Sequence, residues 1–319
     1  MSILVVGSVA YDTVQTPVGN REDALGGSAT YFSVSASKFE PVSIVAVVGT
    51  DFLQEHFEML TSHGVDISGI ESVKGSTFRW SGVYGADANT RETLDTQLNV
   101  FAQFTPELHV NHREHSYLFL ANIEPSLQLD VLHQMRRRPK LVALDTMNFW
   151  IEGRREELGE VLKEVDVVLM DESETRSFAG KQNLTEAAGY IREMGPHTVI
   201  VKRGEHGVLL FRQSSVFIAP AVPLESVVDP TGAGDSFAGG FMGYLASTGD
   251  LTDDGFRRAV VFGSVMGSFA VESFSLDRIE SVSGEEVEER FRLITEVTRF
   301  KPLLDCETLP FSGAEHQVH

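Results

Sequence analysis

An α/β fold is predicted for this chain: a mostly parallel central sheet flanked by helices, with a small β-sheet lid. Three observations carry that prediction. Short apolar runs rich in Val and Ile recur along the chain, continuous rather than alternating, as strands covered on both faces read. Stretches with apolar residues at helical spacing lie between them, and alternation of strand and helix builds parallel sheets. One segment, 72 to 105, breaks the rhythm with aromatic residues alternating with smaller or polar ones.

In chain order, "ILVVGS" (3–8) opens the sheet, and residues from about 10 to 20 are a candidate first lid strand. The helix "ATYFSVSASKF" (29–39) leads to the strand "VSIVAVVG" (42–49) and the helix "DFLQEHFEMLTSHG" (51–64). Then "TFRWSGVYG" (77–85) alternates Phe78, Trp80 and Tyr84 with smaller or polar residues, "ADANTRE" turns, and "TLDTQLNVFAQF" (93–104) runs extended. We read this as a small antiparallel insertion, a lid over a site at the strand ends; the competing reading is an edge hairpin that only packs on the core. The rhythm resumes with strands at 116–122, 141–146, 165–170 and 198–204, separated by helices "SLQLDVLHQMRRR", "REELGEVLKEV" and "LTEAAGYIREMG". Residues 207–220 look like a hairpin. One domain over 1–301 is expected, with a peripheral tail at 302–319.

The charge balance, 26 Lys and Arg against 46 Asp and Glu for a net −20, argues against nucleic-acid or anionic-membrane partners. The longest basic run, Arg136 to Arg138, reads as a solvated helix end. A single cysteine, Cys306, leaves no disulfide framework and no Cys-rich zinc site. No stretch approaches the roughly 20 apolar residues of a membrane span, and Ile3 to Val6 lacks a basic flank, so a cytoplasmic location is expected. Without an export signal, the acceptor pattern at Asn183 is incidental. His109, His112 and His115 fan around a helix at three-residue spacing and read as a polar loop rather than a metal site.

Chemistry concentrates in "VVDPTGAGDSFAGGFMGYLA" (227–246). A two-glycine loop lets backbone N–H groups converge on an anion, and the helix behind it adds its positive dipole end. Asp235 then stands beside a bound phosphate, where an aspartate can accept the proton of an attacking hydroxyl. A plain helix cap is the competing reading. The Walker pattern G-x-x-x-x-G-K-[ST] occurs nowhere in the chain. "GDS" at 234–236 resembles a hydrolase nucleophile block, but that block follows a first strand, and this one lies two-thirds along the chain.

The run "DPTGAGDSFAGGF" closely resembles the second signature of the ribokinase-like (PfkB) carbohydrate kinases. The resemblance extends over most of the chain. "GSVAYDTV" looks like the family's opening strand, whose aspartate, here Asp12, contacts substrate hydroxyls. "LGGSATYFSVSASKF" is similar to its first glycine signature, implying that Gly26, Gly27 and Thr30 line the acceptor. "VVGTDFLQEHFEMLTSHGVD" looks like the helix and G-V-D that usually follow. "VKRGEHGVLLF" matches the stretch near the nucleotide phosphates, implicating Lys202, Gly204 and Gly207. The resemblance makes Asp235 the catalytic base and the backbone of Gly232, Ala233 and Gly234 the anion hole. It puts Thr231 and Asp229 near the nucleotide and, in many members, a monovalent cation such as K⁺.

Two departures stand out. Where the family often shows N-x-x-E, "MDESET" places Asp171 at the Asn position and keeps Glu174, an arrangement that suits water-mediated Mg²⁺. Ser28, Thr30 and Tyr31 replace the Lys, Ala and Asn of ribokinase itself, which weakens ribose as the substrate. Phe78, Arg79 and Trp80 on the lid, with Asn122 and Asn148 past strand ends, are candidate acceptor contacts. The activity expected is that of an ATP-dependent, Mg²⁺-requiring kinase of a small sugar or polyol hydroxyl. Adenosine-, inosine- or cytidine-type nucleosides and inositol are alternative acceptors, and a non-catalytic ligand-binding regulator is the alternative from another class. The resemblance also implies a homodimer through the lid.

Overall fold

Strand β1 (Ile3–Val6) shows why the sheet must be covered twice. Ile3 and Val5 enter one apolar core and Leu4 and Val6 the other, all four shielded from solvent. Successive side chains of a strand point to opposite faces, so a run without polar residues has to be sandwiched. The computed structural model describes residues 2–301 except 86, 88, 89 and 214; the expected tail at 302–319 lies outside the described residues.

The main sheet has nine strands. These are β1, β4 (Val42–Gly49), β5 (Val65–Val73), β8 (Tyr117–Leu120), β9 (Leu141–Asp145), β10 (Val167–Asp171), β11 (Thr198–Lys202), β12 (Val208–Arg212) and β13 (Ser215–Ala219). Their order is β13-β12-β11-β10-β9-β8-β1-β4-β5. Pairing is parallel from β11 through to β5, and β12 and β13 fold back as an antiparallel hairpin. Helices α1 (Ser28–Ala36), α2 (Gln54–Ser62), α8 (Ala233–Thr248), α9 (Asp253–Ala270), α10 (Asp277–Ser281) and α11 (Gly284–Val297) pack on one face. On the other lie α3 (Pro125–Gln134), α4 (Asn148–Gly153), α5 (Arg155–Leu162), α6 (Glu172–Ala179) and α7 (Leu184–Glu193).

The lid differs from the sequence expectation. It is a four-stranded sheet, β3-β2-β6-β7, built from β2 (Ala10–Thr16), β3 (Gly19–Gly26), β6 (Phe78–Tyr84) and β7 (Arg91–Gln97). Half of it therefore comes from residues 10–26. Its central pair, β2 and β6, is parallel, because both strands leave the same carboxyl edge of the main sheet, after β1 and after β5. Residues 72 and 73 belong to β5 instead. The stretch expected to run extended to 104 breaks into a 3₁₀ turn at Asn99–Gln103, where Phe101 stacks between Phe78 and Phe104.

Two side expectations are also corrected. The arginine run is solvated as expected but begins two residues past the end of α3 at Gln134 rather than within the helix, with Arg136 paired to Glu114 and Arg138 to Asp166. His112 is buried rather than in a polar loop; its Nε2 lies 3.3 Å from the Ser68 hydroxyl, and its ring stacks on His109. Among the described residues no group of three or more His, Cys, Asp or Glu could hold a metal ion, and no helix is long and apolar enough to cross a membrane.

Candidate active site

The N-terminus of α8, like those of α1, α2 and α3, carries no side-chain cap. Helices α7, α9 and α11 are capped by the side chains of Asn183, Thr252 and Ser283. At α8 the cap is Gly232, with φ 74° and no side-chain acceptor. A β-carbon there would fall 2.3 Å from the Tyr31 ring, so position 232 requires glycine for both conformation and space. The Ala233 amide bonds the Pro230 carbonyl, and the Ser236 amide returns to Gly232. The Gly234 amide meets no backbone acceptor among the described residues, and the Asp235 amide is shared with its own carboxylate, an arrangement that suits an anion at a helix start.

Lys202, at the exit of β11, lies against this loop: its Nζ is 3.1 Å from where a Gly234 β-carbon would sit. It is held by both carboxylate oxygens of buried Asp145 at the exit of β9, at 2.9 and 3.1 Å. Burial pulls the ammonium down, but Asp145, Glu174 and Asp235 more than reverse this and hold it above the ordinary lysine value. Asp235 is pushed up to about 7 by burial and by Asp145, against the opposing pull of Lys202 and Arg91. Gly204 and Gly207 form the turn from β11 to β12, immediately past Lys202.

Asp12 faces the loop from the lid side. Its carboxylate occupies the space where a Gly26 side chain would be, 1.9 Å from that β-carbon, and it accepts from the Gly27 amide. Burial, reinforced by Asp229 and Asp235, raises it to about 7. Trp80 stands beside Asp12 in the β2–β6 register, half-buried, with its Nε1 donating to Thr93 at 3.3 Å. Tyr84 on the same face receives the Thr231 hydroxyl at 3.3 Å, so the lid touches the loop that leads into α8.

Several expected acceptor contacts are placed otherwise. Thr30 is fully buried within α1, and its hydroxyl has no hydrogen-bond partner in the structure. Both ends of the Asn122 amide are taken, by Trp150 Nε1 at 2.9 Å and Met147 Sδ at 3.1 Å, so it positions Trp150. Arg79 turns to the far side of the lid, paired with Asp51 and Asp23 and lying over Tyr11. Phe78 is half-buried and braces the 3₁₀ turn through Phe101. Asn148 begins α4, half-buried at the sheet's carboxyl edge.

Comparison with known proteins gives the family. The family model for "pfkB family carbohydrate kinase" matches residues 2–280. The chain belongs to the pfkB family. A cytidine kinase of Thermococcus kodakarensis is 32% identical over 250 residues, 76% of this chain and 87% of that protein. A nucleoside kinase of Methanothermobacter thermautotrophicus is 27% identical over 298 residues, covering 85% and 89%. The solved nucleoside kinase of Methanocaldococcus jannaschii superposes with a TM-score of 0.73 at 19% identity, covering 92% of this chain and 98% of that one. The aminoimidazole riboside kinase of Salmonella enterica, solved with its riboside and an ATP analogue, gives 0.72 at 18%, covering 91% and 100%. At these identities the structural matches establish the ribokinase-like fold.

For a pfkB-family protein the ion sites are sparse but chemically suited. Asp171 and Glu174 form a reciprocal capping box at α6, each bonding the other's amide at 2.7 Å. Burial and Asp171 raise Glu174 to about 8. One oxygen of each remains outside the box, which fits a largely hydrated Mg²⁺ better than a direct protein cage. Asp229 is buried, and the groups acting on it are the amides of Thr231 and Ser275 and the Thr231 hydroxyl, with no basic side chain. A buried carboxylate so placed fits a monovalent cation. Sequence reading missed Asp145, Tyr84 and Arg91. An acid closing the apolar run "LVALD" was the available signal for the first; strand register was needed for the others.

Proposed function

We propose that this protein is an ATP-dependent kinase that transfers the γ-phosphate to a hydroxyl of a nucleoside. One observation carries the kinase reading: the open Gly234 amide, the Lys202 ammonium and a carboxylate raised to about 7 meet at a helix start without a side-chain cap. Asp12 would accept a hydrogen bond from an acceptor hydroxyl and orient it. Asp235 takes the proton of the attacking hydroxyl as the acceptor oxygen bonds to phosphorus and ADP leaves with the electrons of the broken P–O bond. The Gly232–Gly234 backbone and Lys202 face the charge on the transferred group. When bound near Asp171 and Glu174, Mg²⁺ would offset phosphate charge; K⁺ would sit beside Asp229. The lid excludes water that would otherwise hydrolyse ATP.

A nucleoside is favoured over the small sugar or polyol by the 32% identical relative named a cytidine kinase, and by Trp80, a flat ring beside Asp12. A free sugar, a polyol or inositol is the second reading, supported by the family description. A silent binding regulator has no use for a base at Asp235. Homodimerisation through the lid belongs to the proposal, supported by two open lid edges and exposed Leu94 and Leu98, and sedimentation tests it. Cytoplasmic residence is proposed from the single cysteine. ADP release measured over cytidine, inosine, adenosine, ribose, fructose and inositol tests the function; turnover is expected first with a nucleoside, and ligand binding without any turnover overturns the kinase reading.

A further inference from the structure

Four residues other than glycine adopt a positive φ among the described residues, and three of them, Asp23, Asn99 and Gln213, are exposed. The fourth, Ser275 at φ 57°, is buried in the connection from α9 to α10. A left-handed residue that lacks the freedom of glycine persists only where its surroundings fix it. Ser275 is fixed from two sides. Its hydroxyl donates to the Leu25 carbonyl at 2.6 Å, and its amide donates to Asp229 Oδ2 at 3.4 Å.

These two partners belong to opposite halves of the cleft. Leu25 is the penultimate residue of β3, directly before the Gly26–Gly27 turn, and the Gly27 amide holds Asp12. Asp229 uses its other oxygen to hold the Thr231 amide at 2.9 Å, one residue before the Gly232 cap of α8. A continuous chain of hydrogen bonds therefore runs from the acceptor turn through Ser275 and Asp229 to the start of α8. Phe274, the preceding residue, lies against the far end of the same lid strand, with its ring 3.5 Å from where a Gly19 β-carbon would sit. Residues 274 and 275 thus touch β3 near both of its ends. A lid that closes over an acceptor has to break the buried 2.6 Å bond or carry Ser275 with it, and carrying Ser275 moves the amide that holds Asp229.

Resting on the kinase reading, we propose that Ser275 is a positioning residue that couples the acceptor half of the cleft to the nucleotide half. Its hydroxyl holds the acceptor turn and its amide holds Asp229, so each ligand binds more tightly once the other has ordered its own side. Coupling of this kind is reciprocal: the factor by which the nucleotide strengthens the acceptor is the factor by which the acceptor strengthens the nucleotide. Ser275 touches neither substrate and takes no part in the transfer of the proton or the phosphoryl group.

Calorimetric titration tests this, using whichever of the six acceptors above binds most tightly, with and without a non-hydrolysable ATP analogue at fixed Mg²⁺ and K⁺. The wild type should bind the acceptor about fivefold or more tightly in the presence of the analogue. Ser275→Gly keeps the left-handed backbone and the amide to Asp229 and removes only the hydroxyl. In that variant the ratio should fall to within about twofold of one, while the affinity for each ligand alone changes less than about threefold. Ser275→Ala should lose the coupling equally, and melting temperatures report whether both variants fold. A ratio near one in the wild type, or one that Ser275→Gly leaves intact, overturns the coupling role. Separate affinities that fall as far as the ratio overturn it too, because a merely structural residue would act on all three alike. A wild type that couples its ligands but phosphorylates none of the acceptors overturns the kinase reading alone, and one that binds no acceptor overturns both.

Discussion

Replacing Asp235 with asparagine separates its two characters, base and buried charge. As base it is expected to supply on the order of 10²–10⁴-fold in kcat, so Asp235→Asn should lose that factor while ATP affinity stays close to wild type. In stability the variant should gain. A carboxylate raised to about 7 holds its proton more tightly in the folded chain than in the unfolded one, where it titrates near 4. Unfolding therefore releases a proton between those values, and the folded state loses ground as pH rises through that window. Asparagine removes the loss, so its melting temperature should exceed the wild type's at pH 8 and match it at pH 4. The wild-type kcat/KM should rise with pH on an acid limb near 7, since only the ionised form accepts a proton. An equal melting-temperature difference at both pH values would refute the burial argument. Asp235 was legible in the sequence because base, loop and helix start are contiguous. Its raised pKa was not, because Asp145 lies 90 positions earlier in the chain.

At the scale of elements, the start of α8 is the most constrained part of the molecule. Gly232→Ala adds a methyl group to a left-handed residue and drives it into the Tyr31 ring. Overpacking of this kind costs about 1–3 kcal/mol, and the left-handed conformation adds about 1 kcal/mol. Tyr31 is itself fixed in α1 beneath the loop, so the loop rather than the ring should shift. A displacement of about 1 Å at a phosphate site costs roughly 10²-fold in rate. Melting temperature and kcat measured together check this: both should fall, and a variant that loses stability but keeps full kcat would show that the loop does not hold the phosphoryl group. The glycines of this loop were readable because backbone conformation is a local property. The Lys202–Asp145 pair was not, although both residues end apolar runs. Their meeting depends on β9 and β11 flanking β10 in the sheet, an order that no local pattern specifies. The burial of Thr30 was hidden for a related reason: whether a helix residue faces a cleft or a core depends on what packs on its helix, and α8 packs on α1.

At the scale of the whole molecule, alternating apolar runs and amphipathic stretches made the three-layer sheet legible, whereas the lid was only half visible. Its first strand was expected at about 10–20 and is β2, but β3 (Gly19–Gly26) carries no comparable sequence pattern, and only the β2–β6 pairing joins both to 78–97. The global charge raises one further expectation. With a net charge of −20 the protein repels ATP at long range, while Lys202, Arg91 and the α8 amides attract it only within the cleft. At 0.01 M ionic strength the screening length is about 30 Å, comparable to the domain itself, so an approaching nucleotide feels the whole negative surface. At 0.15 M it is about 8 Å, and the local cations dominate the final approach. The kcat/KM for ATP should therefore rise a few-fold between these conditions at fixed free Mg²⁺, whereas kcat at saturation should change little because the reacting groups are shielded from bulk salt. A kcat/KM that falls with added salt would mean that the cleft's own field extends past its mouth and outweighs the acidic surface around it.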